Sequence, residues 1–372
     1  MQPEITVCKT CLMPSSRPRV VFNDEGICNA CTNSLKKPAI NWDARRIEFI
    51  ELVEKYRSRS GAYDCIVPWS GGKDSSMIAL RLKEEFGLNP LLVTFSPMIP
   101  SEVGQHNKEE ILKAGFDHIN LRPNQKVSRK LARRFFIERG NPKVCWDAGV
   151  TATPMQLAAK LDIPLIFYAE HGESEYGGHV LSEEHTKERD VAEFLENLVG
   201  DDPANWVDEI VTERDVQPYC YPDLQLVAEK SVKAMYFSYF FRWDVYENYK
   251  YVSDRIDFQL APNGRTNGTF TGYDSLDDKI DNLYYHMQFV KFGFGRATRD
   301  ASRLIQLGHL TREKAVEMAN AYDDEFPETY LPDVLEYLDM DRETLVATID
   351  LHRNSEIWSN VDGDWKRSFR IK

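Results

Sequence analysis

Three features of the sequence predict an α/β fold, a parallel sheet with helices on both faces. Apolar runs of strand length alternate with helix-length patterns between residues 63 and 170, and such alternation builds parallel sheets through right-handed crossovers. The run Tyr63-Asp-Cys-Ile-Val-Pro-Trp69 passes directly into Ser70-Gly-Gly-Lys-Asp-Ser-Ser76 and then a helical pattern over residues 77–86, the order strand, turn, helix. A chain of 372 residues with 42% hydrophobic composition buries a sizeable core and more than one structural unit.

The elements follow in chain order. Residues 1–40 carry Cys8-Lys-Thr-Cys11 and Cys28-Asn-Ala-Cys31. Two such pairs offer four sulfurs to one tetrahedral ion, so Cys8, Cys11, Cys28 and Cys31 are expected to hold a structural Zn²⁺ with no position left for substrate. Between the pairs, Pro14 and Pro18 stiffen the loop, residues 19–22 have strand propensity, and residues 23–26 read as a turn.

After a linker, residues 42–58 read as a helix with Ile47, Phe49, Ile50, Leu52, Val53 and Tyr56 on a broad apolar face. Strands are expected at residues 63–69, 90–95, 118–121 and 164–170, with helices at 75–86 and near 103–114, 126–138 and 149–161. Residues 180–233 are acidic and helical in pattern, broken at Asp201-Asp-Pro203, and read as an insertion beside the sheet. The β-prone run 234–241 supplies a fifth strand whose aromatics read as core, and a helix follows to about residue 255. This unit, 41–255, precedes a C-terminal helical region, 256–372, expected to bind substrate.

Gly71 and Gly72 let backbone N–H groups converge, and the helix behind them adds unpaired amides and a positive dipole end. The hydroxyls of Ser70, Ser75 and Ser76 and the ammonium of Lys73 complete a site for an anion. The loop is not G-x-x-x-x-G-K-[ST], because position 67 is Val and position 74 is Asp. SGGKDSS after a buried strand resembles instead the PP-loop of the ATP pyrophosphatase superfamily, which implies transfer of AMP to an oxygen and release of pyrophosphate.

Ligands of open parallel sheets lie at the carboxyl ends of the strands. Thr94, Phe95 and Ser96 are therefore expected on the adenine side. Glu170-His-Gly-Glu-Ser-Glu-Tyr-Gly-Gly178 would flank the phosphates, with Mg²⁺ on Glu170, Glu173 or Glu175. On a helix beginning near residue 296, Arg296, Arg299 and Arg303 share a face beside Lys291 and suit a further anion. Asp300 is spaced to pair with Arg296, the structural alternative.

A formal net charge of −13 argues against a general nucleic-acid or anionic-membrane binder. No run of 18 apolar residues and no leader pattern occur, and seven cysteines suit a metal site better than a disulfide framework, so a cytoplasmic protein is expected.

Cys8-Lys-Thr-Cys-Leu-Met-Pro14, Phe22-Asn-Asp-Glu-Gly-Ile-Cys-Asn-Ala-Cys31, the SGGKDSS loop, Glu175-Tyr-Gly-Gly178 and Lys291-Phe-Gly-Phe-Gly-Arg-Ala-Thr-Arg-Asp-Ala-Ser302 occur in that order. Together they resemble the N-acetyl sugar amidotransferases of lipopolysaccharide, O-antigen and other surface-polysaccharide synthesis. Ala169-Glu-His-Gly-Glu173 and Asn267-Gly-Thr-Phe270 depart from that family's more usual Gly-Glu-Asn and Glu-Gly-Thr-Tyr.

The resemblance implies ATP, Mg²⁺ and Zn²⁺ as cofactors, a nucleotide sugar as substrate and an ammonia-supplying glutaminase as partner. The acetamido oxygen of the sugar would attack the α-phosphate of ATP, and ammonia would then displace AMP to leave an acetamidino group. Lys73, Asp74, Glu170 and Glu173 would serve catalysis; Glu175, Tyr176, Gly177, Lys291, Arg296, Arg299 and Arg303 would contact the sugar nucleotide. The alternatives are a PP-loop tRNA thiolase, which requires RNA and an essential cysteine, and a zinc-knuckle adaptor that binds ATP without cleaving it.

Overall fold

The computed structural model describes residues 4–58, 60–178, 186–189 and 200–372. Its centre is a five-stranded, all-parallel sheet of β1 (Cys65–Pro68), β2 (Pro90–Phe95), β3 (His118–Leu121), β4 (Leu165–Tyr168) and β5 (Lys233–Tyr236), in the order β3-β2-β1-β4-β5. The chain winds outward from β1 to β3 and returns to β4 on the other side of β1. The order therefore reverses between β1 and β4, and a crevice opens at their carboxyl ends. The residues that follow these strands, Ser70–Lys73 and Glu170, stand at that crevice.

Alternation along the strands separates two faces. Cys65, Val67, Leu92 and Phe167 pack with α2 (Trp42–Tyr56) and α3 (Lys73–Glu84). Ile66, Leu91, Val93 and Ile166 pack with Met155 and Ala158 of α6 (Val144–Leu161). The crossover helices α4 (Glu102–Lys113) and α5 (Gln125–Arg139) complete the layers, and the expected linker before α2 begins within a short helix, α1 (Asn29–Lys36).

Several expectations need correction. The apolar face of α2 is narrow: Phe49 and Val53 are buried, whereas Ile47 and Ile50 are 58% and 40% exposed, because only one side of the helix meets the sheet. Residues 19–22 form no strand. Arg19 has φ 63°, which breaks an extended run, and only the isolated bridge Phe22–Cys28 forms. The helix expected from 149 begins at Val144, since Gly149 is no break: a Cβ there would overlap the Phe95 ring, which lies against the helix.

The fifth strand ends at Tyr236, and Phe237, Phe240 and Phe241 then surround Phe49 in the core. Of the acidic segment 180–233, residues 180–185 and 190–199 lie outside the described residues. Its described remainder holds short helices at Glu213–Val216 and Leu224–Glu229, and it buries Trp206 and Tyr219 against α5 and Phe95.

The C-terminal region contains the helices Asp281–Phe292, Arg296–Leu307, Arg312–Tyr322, Leu331–Leu338 and Arg342–Leu351. An unexpected antiparallel hairpin, β6 (Trp358–Val361) with β7 (Asp364–Arg367), closes it. The hairpin turns at Asp362-Gly363, both at positive φ, as a two-residue turn of this hand requires. Among the described residues no helix is long and apolar enough to cross a membrane.

Candidate active site

The loop after β1 is shaped to receive an anion. Gly71 has φ 88°, and a Cβ there would overlap the Lys108 side chain lying across it, so only glycine fits. Gly72 caps α3 in an extended conformation, leaving the first amides of that helix directed at the crevice. Ser70 Oγ accepts the Gly72 N–H at 3.2 Å, and Ser76 Oγ accepts the Trp69 indole N–H at 2.9 Å. Ser75 lines the adjoining cavity.

Lys73 is 1% exposed. Its ammonium bonds Asp74 at 2.6 Å and also Asp274. Burial opposes the charge, but Asp274 and Asp74 more than offset it and hold Lys73 above the ordinary lysine range. Asp74 in turn accepts from Asn248 Nδ2 at 2.8 Å.

Two cavities meet at this loop. One, of about 590 Å³, is lined by Ser70, Gly72, Lys73, Asp74 and Ser75 and also by Phe95, Trp146 and Val150. The second, of about 600 Å³, is lined by Arg17, Arg19, Tyr176, Lys291, Arg299 and Arg303, among others. Lys73, Asp74, Glu170, Tyr273, Asp274 and Arg299 border both.

Glu170 accepts a hydrogen bond from Tyr176 at 3.1 Å. Burial first, then the nearby Asp74 carboxylate, push its pKa up from an ordinary 4.5 to about 7. The folded chain thus keeps a proton that the unfolded chain releases, so this contribution to stability is lost as pH rises from about 4.5 towards 7. Glu170→Gln is expected to raise the melting temperature at pH 8, to leave it nearly unchanged near pH 4.5, and to lower turnover. Thermal melts at the two pH values, with an activity assay, check this.

The other expected ligands divide by their surroundings. Phe95 lines the loop-side cavity. The Thr94 hydroxyl instead donates to the Trp69 carbonyl and lies 2.9 Å from His118 Nε2, and Ser96 Oγ bonds Asn120 at 2.8 Å. Glu173 borders the second cavity and pairs with Arg19 at 2.8 Å. Glu175 is buried between Lys37 and Arg303, away from the phosphate loop. The Gly177 carbonyl accepts from Arg17.

The arginine stripe also divides. Arg296 is buried, bonding Thr266 Oγ1 at 3.0 Å and the Asp274 carbonyl at 2.8 Å, and it pairs with Asp300 at 3.4 Å. Arg303 is held by Glu175. Arg299, paired with Asp300 at 3.1 Å and lying over Tyr285, borders both cavities. Lys291 donates to the Arg139 carbonyl at 2.9 Å, and no carboxylate among the described residues pairs with it; burial lowers its pKa. Asp274 and Asn248 were not foreseen as site residues; the Thr-Gly-Tyr-Asp-Ser run at 271–275 was the available signal for the first.

The four cysteines come together as their spacing predicts. Their sulfurs lie within 4.8 Å of one another and all four residues are buried. Cys8 and Cys31 are 3.9 Å apart, and Cys11 and Cys28 3.6 Å. Zn–S bonds of about 2.3 Å in a tetrahedron set S–S edges of about 3.8 Å, so the cluster fits zinc. It rests on Phe292, Phe294 and Ile305. The same segment walls the second cavity: Arg17 holds the Gly177 carbonyl, Asn29 Nδ2 holds the Gly178 carbonyl at 2.8 Å, and Arg19 pairs with Glu173.

Fold and site together define a parallel α/β protein with a glycine–serine anion loop at the sheet's point of reversal, two adjoining cavities and a four-cysteine cluster at their margin. Residues 267–372 match the family described as "LPS biosynthesis protein WbpG-like, C-terminal domain". A stretch of 88 residues is 39% identical to "Uncharacterized protein MJ1599" of Methanocaldococcus jannaschii; it covers 23% of this chain and 31% of that protein.

Proposed function

We propose that this chain is a PP-loop, ATP-dependent amidotransferase that converts the acetamido group of a nucleotide-linked sugar to an acetamidino group in LPS biosynthesis. The observation that carries this reading is the position of the Lys73 loop, where the loop-lined cavity meets the one bordered by Arg299 and Lys291. A triphosphate in the first cavity meets an acceptor in the second at its α-phosphate. The likeness of residues 267–372 to an LPS biosynthesis family supports the pathway, and the sequence resemblance supports the acceptor.

In this reading the acetamido oxygen attacks the α-phosphate, the bond to pyrophosphate breaks, and the amide nitrogen gives up its proton. Ammonia from a glutaminase partner then adds to the activated carbon and AMP departs. Loop amides and Lys73 take up charge on the leaving pyrophosphate. Asp74 and Glu170 would hold Mg²⁺, which would offset charge on the phosphates, since Mg²⁺ is commonly bound through one or two carboxylates plus substrate phosphates. Arg299 and Lys291 face the anionic groups of the sugar nucleotide.

A tRNA thiolase requires a reactive thiol beside the loop. Cys65 and Cys145 are buried and border neither cavity. Burial pushes both thiols up, Cys145 to about 12, which favours the amidotransferase.

Incubation with ATP, Mg²⁺, ammonium and a UDP-linked acetamido uronic acid is expected to give a product lighter by about one mass unit, O exchanged for NH, by mass spectrometry. Pyrophosphate release that requires tRNA and sulfide would favour the thiolase. ATP binding without pyrophosphate release would favour a nucleotide-binding adaptor.

A further inference from the structure

The part of the loop-side cavity lined by Phe95, Trp146 and Val150 is built for a flat, polar-edged ring. Phe95 lies against α6 at Gly149, where a Cβ would overlap its ring. Val150 and Trp146 supply further apolar surface there. The Lys143 ammonium sits 3.8 Å above the Trp146 ring and pairs with Asp281, and both residues line the same cavity, so the indole is held by a neutralised cation.

Two polar groups there lack partners. The Trp146 indole N–H is buried and makes no hydrogen bond. The half-buried Asp147 carboxyl, next in the chain, lines the same cavity and makes no side-chain hydrogen bond among the described residues. An unsatisfied buried donor is costly, and a carboxyl drawn out of water without donors shifts towards its neutral form. Burial accordingly pushes Asp147 up to about 7, with Lys143 opposing the shift. One donor and one acceptor left open beside an aromatic platform match a ring edge that carries an acceptor next to a donor.

We infer that Asp147 and Trp146 read the adenine of ATP, the carboxylate accepting the exocyclic amine and the indole N–H donating to a neighbouring ring nitrogen, with Phe95 as the platform. The inference rests on the nucleotide reading of the phosphate loop. It replaces Thr94 and Ser96, whose hydroxyls are engaged elsewhere, as the base-selecting residues. Hypoxanthine, which carries a carbonyl where adenine has its amine, sets an acceptor against the carboxylate and is discriminated against.

Binding of ATP, inosine triphosphate and pyrophosphate to the wild-type protein, Asp147→Asn and Trp146→Phe tests this by calorimetry. Pyrophosphate carries no base and reports the loop alone. The wild type is expected to prefer ATP over inosine triphosphate by about tenfold, the scale of one hydrogen bond. Asp147→Asn, which can offer an amide N–H to the carbonyl, removes that preference, and Trp146→Phe weakens ATP relative to pyrophosphate. If the wild type binds ATP and pyrophosphate but shows no preference, or Asp147→Asn keeps it, the base assignment is overturned while the nucleotide reading stands. If the wild type binds neither ATP nor pyrophosphate, the nucleotide reading fails and the base assignment fails with it.

Discussion

Lys73→Met is expected to lower ATP-dependent pyrophosphate release by about 10²–10³-fold, the usual effect of removing one preorganised group that stabilises transition-state charge. The same substitution also acts on the unliganded fold. Lys73 is buried between Asp74 and Asp274, and breaking a buried pair by removing one partner typically costs about 3–5 kcal/mol because the remaining charge is uncompensated. Loss of activity alone would therefore not distinguish catalysis from stability. Lys73→Met combined with Asp274→Asn removes one stranded charge and is expected to recover most of the melting temperature while leaving pyrophosphate release abolished. Recovery of both would assign Lys73 a structural role only.

Cys11→Ser is expected to have the next largest effect. Structural zinc contributes apparent free energies of about 10–16 kcal/mol in zinc-finger peptides, and here the cluster also anchors Arg17, Arg19 and Asn29 against Gly177, Glu173 and Gly178. Of these, Arg17, Arg19 and Glu173 line the cavity assigned to the sugar nucleotide, whereas Ser70, Gly72 and Ser75 line the other. The variant is expected to lose one bound zinc per chain by elemental analysis and to melt at lower temperature. Its KM for the acceptor should rise by about tenfold or more, the equivalent of one good hydrogen bond, with a smaller change in the KM for ATP. An equal rise in both constants would mean that the cluster supports the fold as a whole and not the acceptor wall.

The features legible in the sequence are those set by short-range spacing. Ser70–Ser76 follows an apolar run and opens a helix, so glycine and helix-end chemistry fix its character locally. The two Cys-x-x-Cys pairs need only close on one another. Strand β2 matches its apolar run because all six of its residues are buried, with both faces of the sheet covered there. What could not be read depends on partners distant in the chain. Lys73 meets Asp274 across 201 positions, and Arg303 meets Glu175 across the fold, so charge on one helix face does not disclose which arginine stays available to a ligand. Arg296 is engaged by Thr266 and the Asp274 carbonyl and Arg303 by Glu175, whereas Arg299, paired with Asp300, borders both cavities.

Thr94 illustrates a different limit. Three consecutive residues were expected at the nucleotide, yet side chains in a strand alternate between faces, and Val93 and Phe95 border the cavity while Thr94 turns to Trp69 and His118. Asp147 and Trp146 belong to the first turns of α6, which precede the helix expected near 149–161. Gly149 is there to admit the Phe95 ring, a packing requirement that periodicity does not carry.

The central claim is that the loop of Ser70–Ser76 holds ATP while an amide oxygen in the adjoining cavity takes its AMP. A sugar nucleotide carrying ¹⁸O in its acetamido group tests it most directly. With ATP, Mg²⁺ and ammonium, the account predicts that the AMP formed carries the ¹⁸O, one atom for each acetamidino product, alongside unlabelled pyrophosphate. AMP without the label, or ADP and phosphate in place of AMP and pyrophosphate, would contradict it.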